Sequence, residues 1–285
     1  MNNTFNISRF ALVLGKDFQE GWKRYSLQFL VMLGIMIVVL TWISLYAYSN
    51  IYTYEHNGVT YSSIDTLDLR LLLAGTVMFL GFGIVFTSTL MEPMRSKIQR
   101  ISYLSMPATD FEKFFSRWLI VSVGYVVAFF IALWFADALR IMITSMRHPG
   151  VDVSFLDLSK MIAPEGYTGQ SKYLSYSRQV FVVLLSLYIF IQSLFVLGAT
   201  FWEKASFIKT FSAVAIIVTL FILLCRWAII HSYANDGDGF GVMIESLGDE
   251  NAQMLVLTCI FLFLAVVNWV VAGLRFRESE IIQRW

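Results

Sequence analysis

Six stretches of about twenty mainly apolar residues dominate the chain, and they leave few folds open to it. They run approximately Leu27–Tyr48, Leu69–Met91, Trp118–Leu139, Val180–Phe201, Thr210–His231 and Met254–Leu274. A helix rises 1.5 Å per residue, so about 20 residues cross a hydrocarbon core roughly 30 Å thick. Barrel strands are about half that length and alternate apolar with polar residues, whereas these runs are apolar all round. Composition agrees, with 58% hydrophobic and only 14% charged residues, against roughly 25% charged in soluble domains. The expected fold is an all-α integral membrane protein with six transmembrane helices, forming one polytopic domain over residues 1–285. The first run begins late and is too long for a cleaved signal peptide, so it reads as a signal-anchor.

Loop charges give an orientation. Fourteen basic residues fall in the N-terminal segment, the second and fourth loops and the tail, while the first and fifth loops hold acids and no Lys or Arg. By the positive-inside rule both termini are cytoplasmic, as in a bacterial-type inner membrane. The third loop carries Arg140, Arg147, Lys160, Lys172 and Arg178, and its length lets it depart from the bias.

Two cytoplasmic segments carry more pattern than loops need. Over residues 5–25, Ile7, Phe10, Ala11, Leu14, Phe18 and Trp22 recur at three- and four-residue spacing, with Arg9, Lys16, Asp17, Glu20 and Lys23 filling the turn. This predicts an amphipathic helix lying in the membrane interface, anchored by Phe10, Phe18 and Trp22. The second loop reads SKIQRISYLSMPATDFEKFFSR from Ser96 to Arg117. Pro107 should end one helix, and Thr109 with Glu112 three residues on forms a capping box that starts another. The result is a helical elbow between spans two and three.

Catalytic patterns are missing. His56, His148 and His231 are not at ligand spacing, and no HExxH or GxSxG occurs. Cys225 and Cys259 lie in apolar runs and read as buried small hydrophobes. Gly15-Lys16 resembles the end of a P-loop, but Phe10 stands where the required glycine would be. Asn235–Phe240 (NDGDGF) lacks the acceptor spacing of an EF-hand and reads as a turn. No enzyme activity, cofactor or metal is expected, and a net charge of +1 with no basic stripe gives no reason to expect a nucleic-acid partner. Inside the spans, Asp137 and Arg140 are three residues apart and can pair on one helix face. Arg226 is expected to snorkel to the interface.

This layout resembles the membrane subunit of type-2 ABC exporters, the ABC type-2 permease family. The resemblance rests on the N-terminal helix, the six spans, the elbow sequence Tyr103–Thr109 (YLSMPAT) followed by Glu112-Lys113, and the tail Arg275–Trp285 (RFRESEIIQRW). It implies a six-span half-transporter without its own ATPase domain. A separate ABC ATPase subunit and a second permease copy would be its partners. On that reading Tyr103, Met106, Phe111, Glu112, Phe114 and Arg117 contact the ATPase. One departure is that the longer outer loop here lies between spans three and four, whereas the family places re-entrant helices between five and six. The competing expectation is a non-transporting membrane anchor, assembly factor or sensor.

Overall fold

A computed structural model describes residues 5–50, 53–56, 59–62, 67–94, 96–150, 153–158, 178–202, 205–234 and 250–278. Among the described residues, six helices are long and apolar enough to cross a membrane, and they fall on the six apolar runs. The chain is a multi-pass membrane protein. It divides into two compact units, one of Met1–Phe86 with Phe115–Ser175 and the other of Thr87–Phe114 with Tyr176–Trp285.

In the first unit, helix α1 runs from Ile7 to Ser49. Asn6 caps it, its side chain accepting from the amides of Ser8 at 3.0 Å and Arg9 at 3.4 Å. The amphipathic segment is not a separate helix, because no Pro or other breaker lies between Tyr25 and Leu27 and the turn hydrogen bonds continue. A 43-residue helix is about 65 Å long, roughly twice what hydrocarbon requires. Strands β1 (Thr53–His56) and β2 (Val59–Ser62) then pair antiparallel, Thr53 opposite Ser62 and His56 opposite Val59. This hairpin was not foreseen, although Asn57-Gly58 between β-branched and aromatic residues is a strong hairpin signal. Helix α2 spans Leu67–Thr87.

Between spans two and three come helices α3 (Lys97–Leu104) and α4 (Asp110–Leu119). Helix α4 passes through a π-helical turn, Ile120–Gly124, into α5 (Tyr125–Arg147) without a break. The division between the units falls within α4, after Phe114. Helix α1 runs parallel to the continuous path of α4 and α5, since Asp17 meets Ser116 and Arg117 of α4 at one end while Ser44 meets Thr144 of α5 at the other. Helix α2 packs through Phe79 against Tyr125 and Phe129, with centroids 5.6 and 5.0 Å apart. The Tyr125 hydroxyl donates to the Phe79 carbonyl at 2.5 Å.

In the second unit, α6 (Arg178–Phe201), α7 (Ser206–Ala234) and α8 (Glu250–Arg277) supply the last three spans. Helices α6 and α8 are parallel, with Phe190 stacked on Phe261, Asn268 donating to the Ser193 hydroxyl at 2.9 Å, and Arg275 over the Phe201 ring. Helices α6 and α7 meet at Gly198, where an added Cβ would lie 2.0 Å from Thr210 Oγ1. Ala205 opens α7 in the left-handed region, at φ 54°. Cys259 is exposed rather than buried; it lies on an outward, apolar face of α8. The NDGDGF turn, most of the third loop and the tail beyond Glu278 lie outside the described residues.

Candidate functional site

The elbow is a folded piece. Ser96 caps α3, accepting from the Gln99 amide at 3.3 Å while its hydroxyl donates to Gln99 Oε1 at 2.9 Å. Glu112 and Thr109 form a reciprocal box: the Thr109 amide donates to Glu112 Oε2 at 3.0 Å and the Glu112 amide to Thr109 Oγ1 at 3.3 Å. The two helices are then laced together. The Tyr103 hydroxyl donates to the Lys113 carbonyl at 2.9 Å, and the Lys113 ammonium to the Leu104 carbonyl at 2.8 Å. That second bond satisfies a carbonyl at the end of α3, where a cation also favours the helix dipole. Arg100 likewise donates to the Met94 carbonyl at 2.9 Å.

The elbow is also fastened to the end of the sixth span. Phe276, at the end of α8, lies 5.9 Å from the Phe114 ring and 6.4 Å from the Tyr103 ring, and all three are buried. Gly273, one turn earlier on α8, presents its bare Cα side to Phe114, where an added Cβ would be 3.8 Å from the ring.

These contacts sort the six residues expected to face an ATPase. Tyr103, Glu112 and Phe114 are buried in the elbow, where Tyr103 and Phe114 join α3, α4 and α8 and Glu112 caps α4. Arg117 is buried too and pairs with Asp17 of α1 at 3.0 Å. Met106 is half-buried, and only Phe111 is well exposed, at 59%. The sequence reading passed over two further exposed side chains on α3, Ile98 at 82% and Ile101 at 41%. Their three-residue spacing on a charged helix was the available signal. Phe111, Ile98 and Ile101 are the apolar side chains that this polar elbow leaves in the open.

The three expected anchors divide in a similar way. Phe10 packs between Phe5 and Phe115, at 5.5 and 5.4 Å, and is only half-exposed. Phe18 and Trp22 stay exposed, edge to face at 5.4 Å. Sequence reasoning also missed the partner of Arg117. Asp17 is fully buried, accepts from the Ser116 hydroxyl and pairs with the guanidinium. Asp137 and Arg140 pair as their spacing implied, at 2.6 Å. Arg226 is exposed. Among the described residues, no group of three or more His, Cys, Asp or Glu could hold a metal ion.

No family model, curated protein or solved structure matches the chain.

Proposed function

We propose that the chain is the permease subunit of an ATP-driven ABC exporter, working with a separate ATPase subunit and a second permease copy. Both termini are cytoplasmic in this reading, which the distribution of Lys and Arg supports. The observation that carries it is the elbow: a laced, capped helix pair between spans two and three that leaves Ile98, Ile101 and Phe111 uncovered. A connecting loop has no need of such bracing. An element that receives force does, and exposed aromatic and aliphatic side chains are what a partner's pocket takes up.

Force on the elbow has two routes out. Tyr103 and Phe114 pass it to Phe276 and hence to α8. Helix α4 passes it along an unbroken helical path into α5. Phe18 and Trp22 stay at the lipid interface, on the part of α1 that precedes the first apolar run.

The test is co-purification with a stand-alone ABC ATPase encoded nearby. Ile98→Ala with Phe111→Ala is expected to weaken capture at least about 30-fold, the worth of one hot spot, while membrane insertion and thermal stability stay unchanged. Phe114→Ala is expected to lower stability instead. Capture that survives the exposed pair, or a chain that recruits no ATPase at all, would move the reading to an anchor or sensor.

A further inference from the structure

The outer end of the first unit carries an arrangement independent of the permease reading. Its depth in the membrane follows from two markers. Trp22 and Trp42 are exposed, at 57% and 72%, and twenty residues apart on α1. That is about 30 Å of helix rise, the thickness of the hydrocarbon core, and tryptophan favours both of its edges. The second marker is register. The Thr144 hydroxyl donates to that of Ser44 at 3.1 Å, and the Tyr48 and His148 rings are 6.0 Å apart. Each residue of α5 here therefore stands beside the residue of α1 numbered one hundred lower. Arg140 is level with Leu40 and Asp137 with Ile37, about 3 and 8 Å inside the edge marked by Trp42.

A buried ion pair at that depth is costly, and what it holds is informative. The chain leaves α5 at Arg147, turns at Gly150 with φ 102°, and comes back along the helix. Arg140 Nη2 donates to the Ser154 carbonyl at 2.7 Å, and Asp137 Oδ2 accepts from the Leu156 amide at 2.8 Å. The two charges thus supply one donor and one acceptor to a non-helical backbone, whose polar groups are costly in lipid unless they find partners. Phe155 and Leu158 are exposed on this returning segment, at 55% and 40%. Exposed Asp157, next to Leu156, comes to the same depth, so its carboxylate reaches water only by snorkelling and local thinning of the bilayer, which keeps the entry shallow.

We propose that Val153–Leu158 is a shallow re-entrant segment. Phe155 and Leu158 contact the acyl chains of the leaflet nearer the C-terminal end of α5, and Asp137 and Arg140 are its backbone anchors.

The test uses the full chain carrying Cys225→Ala and Cys259→Ala, with one added cysteine at Phe155 or, as an aqueous control, at Pro149. Each protein is spin-labelled in phosphatidylcholine vesicles and its collisions with oxygen and with a nickel chelate are measured. The label at 155 is expected to meet the chelate roughly tenfold less often than the label at 149, since a polar complex is excluded from lipid. It should favour oxygen. Equal chelate collision at the two positions would overturn the proposal. Adding Asp137→Ala and Arg140→Ala is expected to bring the 155 label to the level of the control. Asp137→Asn with Arg140→Gln, which keeps one acceptor and one donor, should leave it buried. That conservative pair and the unsubstituted protein decide the matter even if the alanine pair fails to assemble. A 155 label that stays shielded with both anchors removed would rule out their role.

Discussion

The two units solve the same problem with different chemistry. Each sets the first and third of its spans side by side and parallel, α1 with α5 and α6 with α8. In the first unit that seam is fixed at its ends by charge and hydroxyl groups: Asp17 with Ser116 and Arg117, Ser44 with Thr144. In the second it is held mainly along its length by small and neutral groups, Ser193 with Asn268 and buried Ala199, Ala265 and Ala272, with Arg275 over the Phe201 ring at one end. The difference follows from where water can reach. An ion pair is tolerable near a helix end, where headgroups lower its cost, whereas within hydrocarbon close packing and uncharged hydrogen bonds cost less. The first unit's seam is therefore specific but fragile, and the second's is distributed.

The largest expected effect tests the fragile side. Asp17→Ala leaves the Arg117 guanidinium buried beside an apolar methyl, and breaking a buried pair from one side costs about 3–5 kcal/mol. Removing both with Asp17→Ala and Arg117→Met should recover a large part of that loss, because no charge then remains to be solvated. Thermal unfolding of the three proteins in detergent measures it. If the single variant is as stable as the parent, the seam does not depend on its charges and the contrast between the units fails.

That pair also marks the point at which sequence alone ran out. The six spans were readable because lipid demands length and apolarity, and both are local properties. The Thr109–Glu112 box was readable for the same reason, since its partners are three residues apart. Asp137 and Arg140 could be paired from their spacing, but their hold on Ser154 and Leu156 could not, because nothing local says where a loop returns. Asp17 and Arg117 are a hundred residues apart, and each reads by itself as a solvated charge. For the elbow, residue types alone did not tell which side chains are buried and which are exposed. Tyr103 and Phe114 are large and aromatic, as interface anchors are, yet they are consumed by Phe276, whose position at the far end of the chain no pattern in the second loop reveals.

The next effect tests the small-residue side. Gly198→Leu would drive a side chain into Thr210, where even a Cβ lies 2.0 Å from Oγ1. Overpacking of that kind costs about 1–3 kcal/mol. Thr210→Gly, which clears the opposing side chain, should restore a good part of it, whereas the same substitution in the parent should only destabilise. A double-mutant cycle by thermal unfolding gives the coupling. Additive losses would mean that α6 and α7 are not held by this approach.

The smallest effect sharpens the comparison most, because it sets one interhelical hydrogen bond against one interhelical ion pair. Asn268→Ala removes the donor to Ser193. Interhelical hydrogen bonds within membranes average about 0.6 kcal/mol, since the separated helices also find partners. Ser193 is fully buried, but its hydroxyl also donates to the Phe190 carbonyl at 2.7 Å within its own helix, so losing Asn268 does not strand it. The expected loss is accordingly several times smaller than that for Asp17→Ala, and Ser193→Ala should cost about as little. A loss at Asn268 as large as the one at Asp17 would mean that the second unit, too, hangs on a single polar contact, and that its small residues serve only to bring that contact within reach.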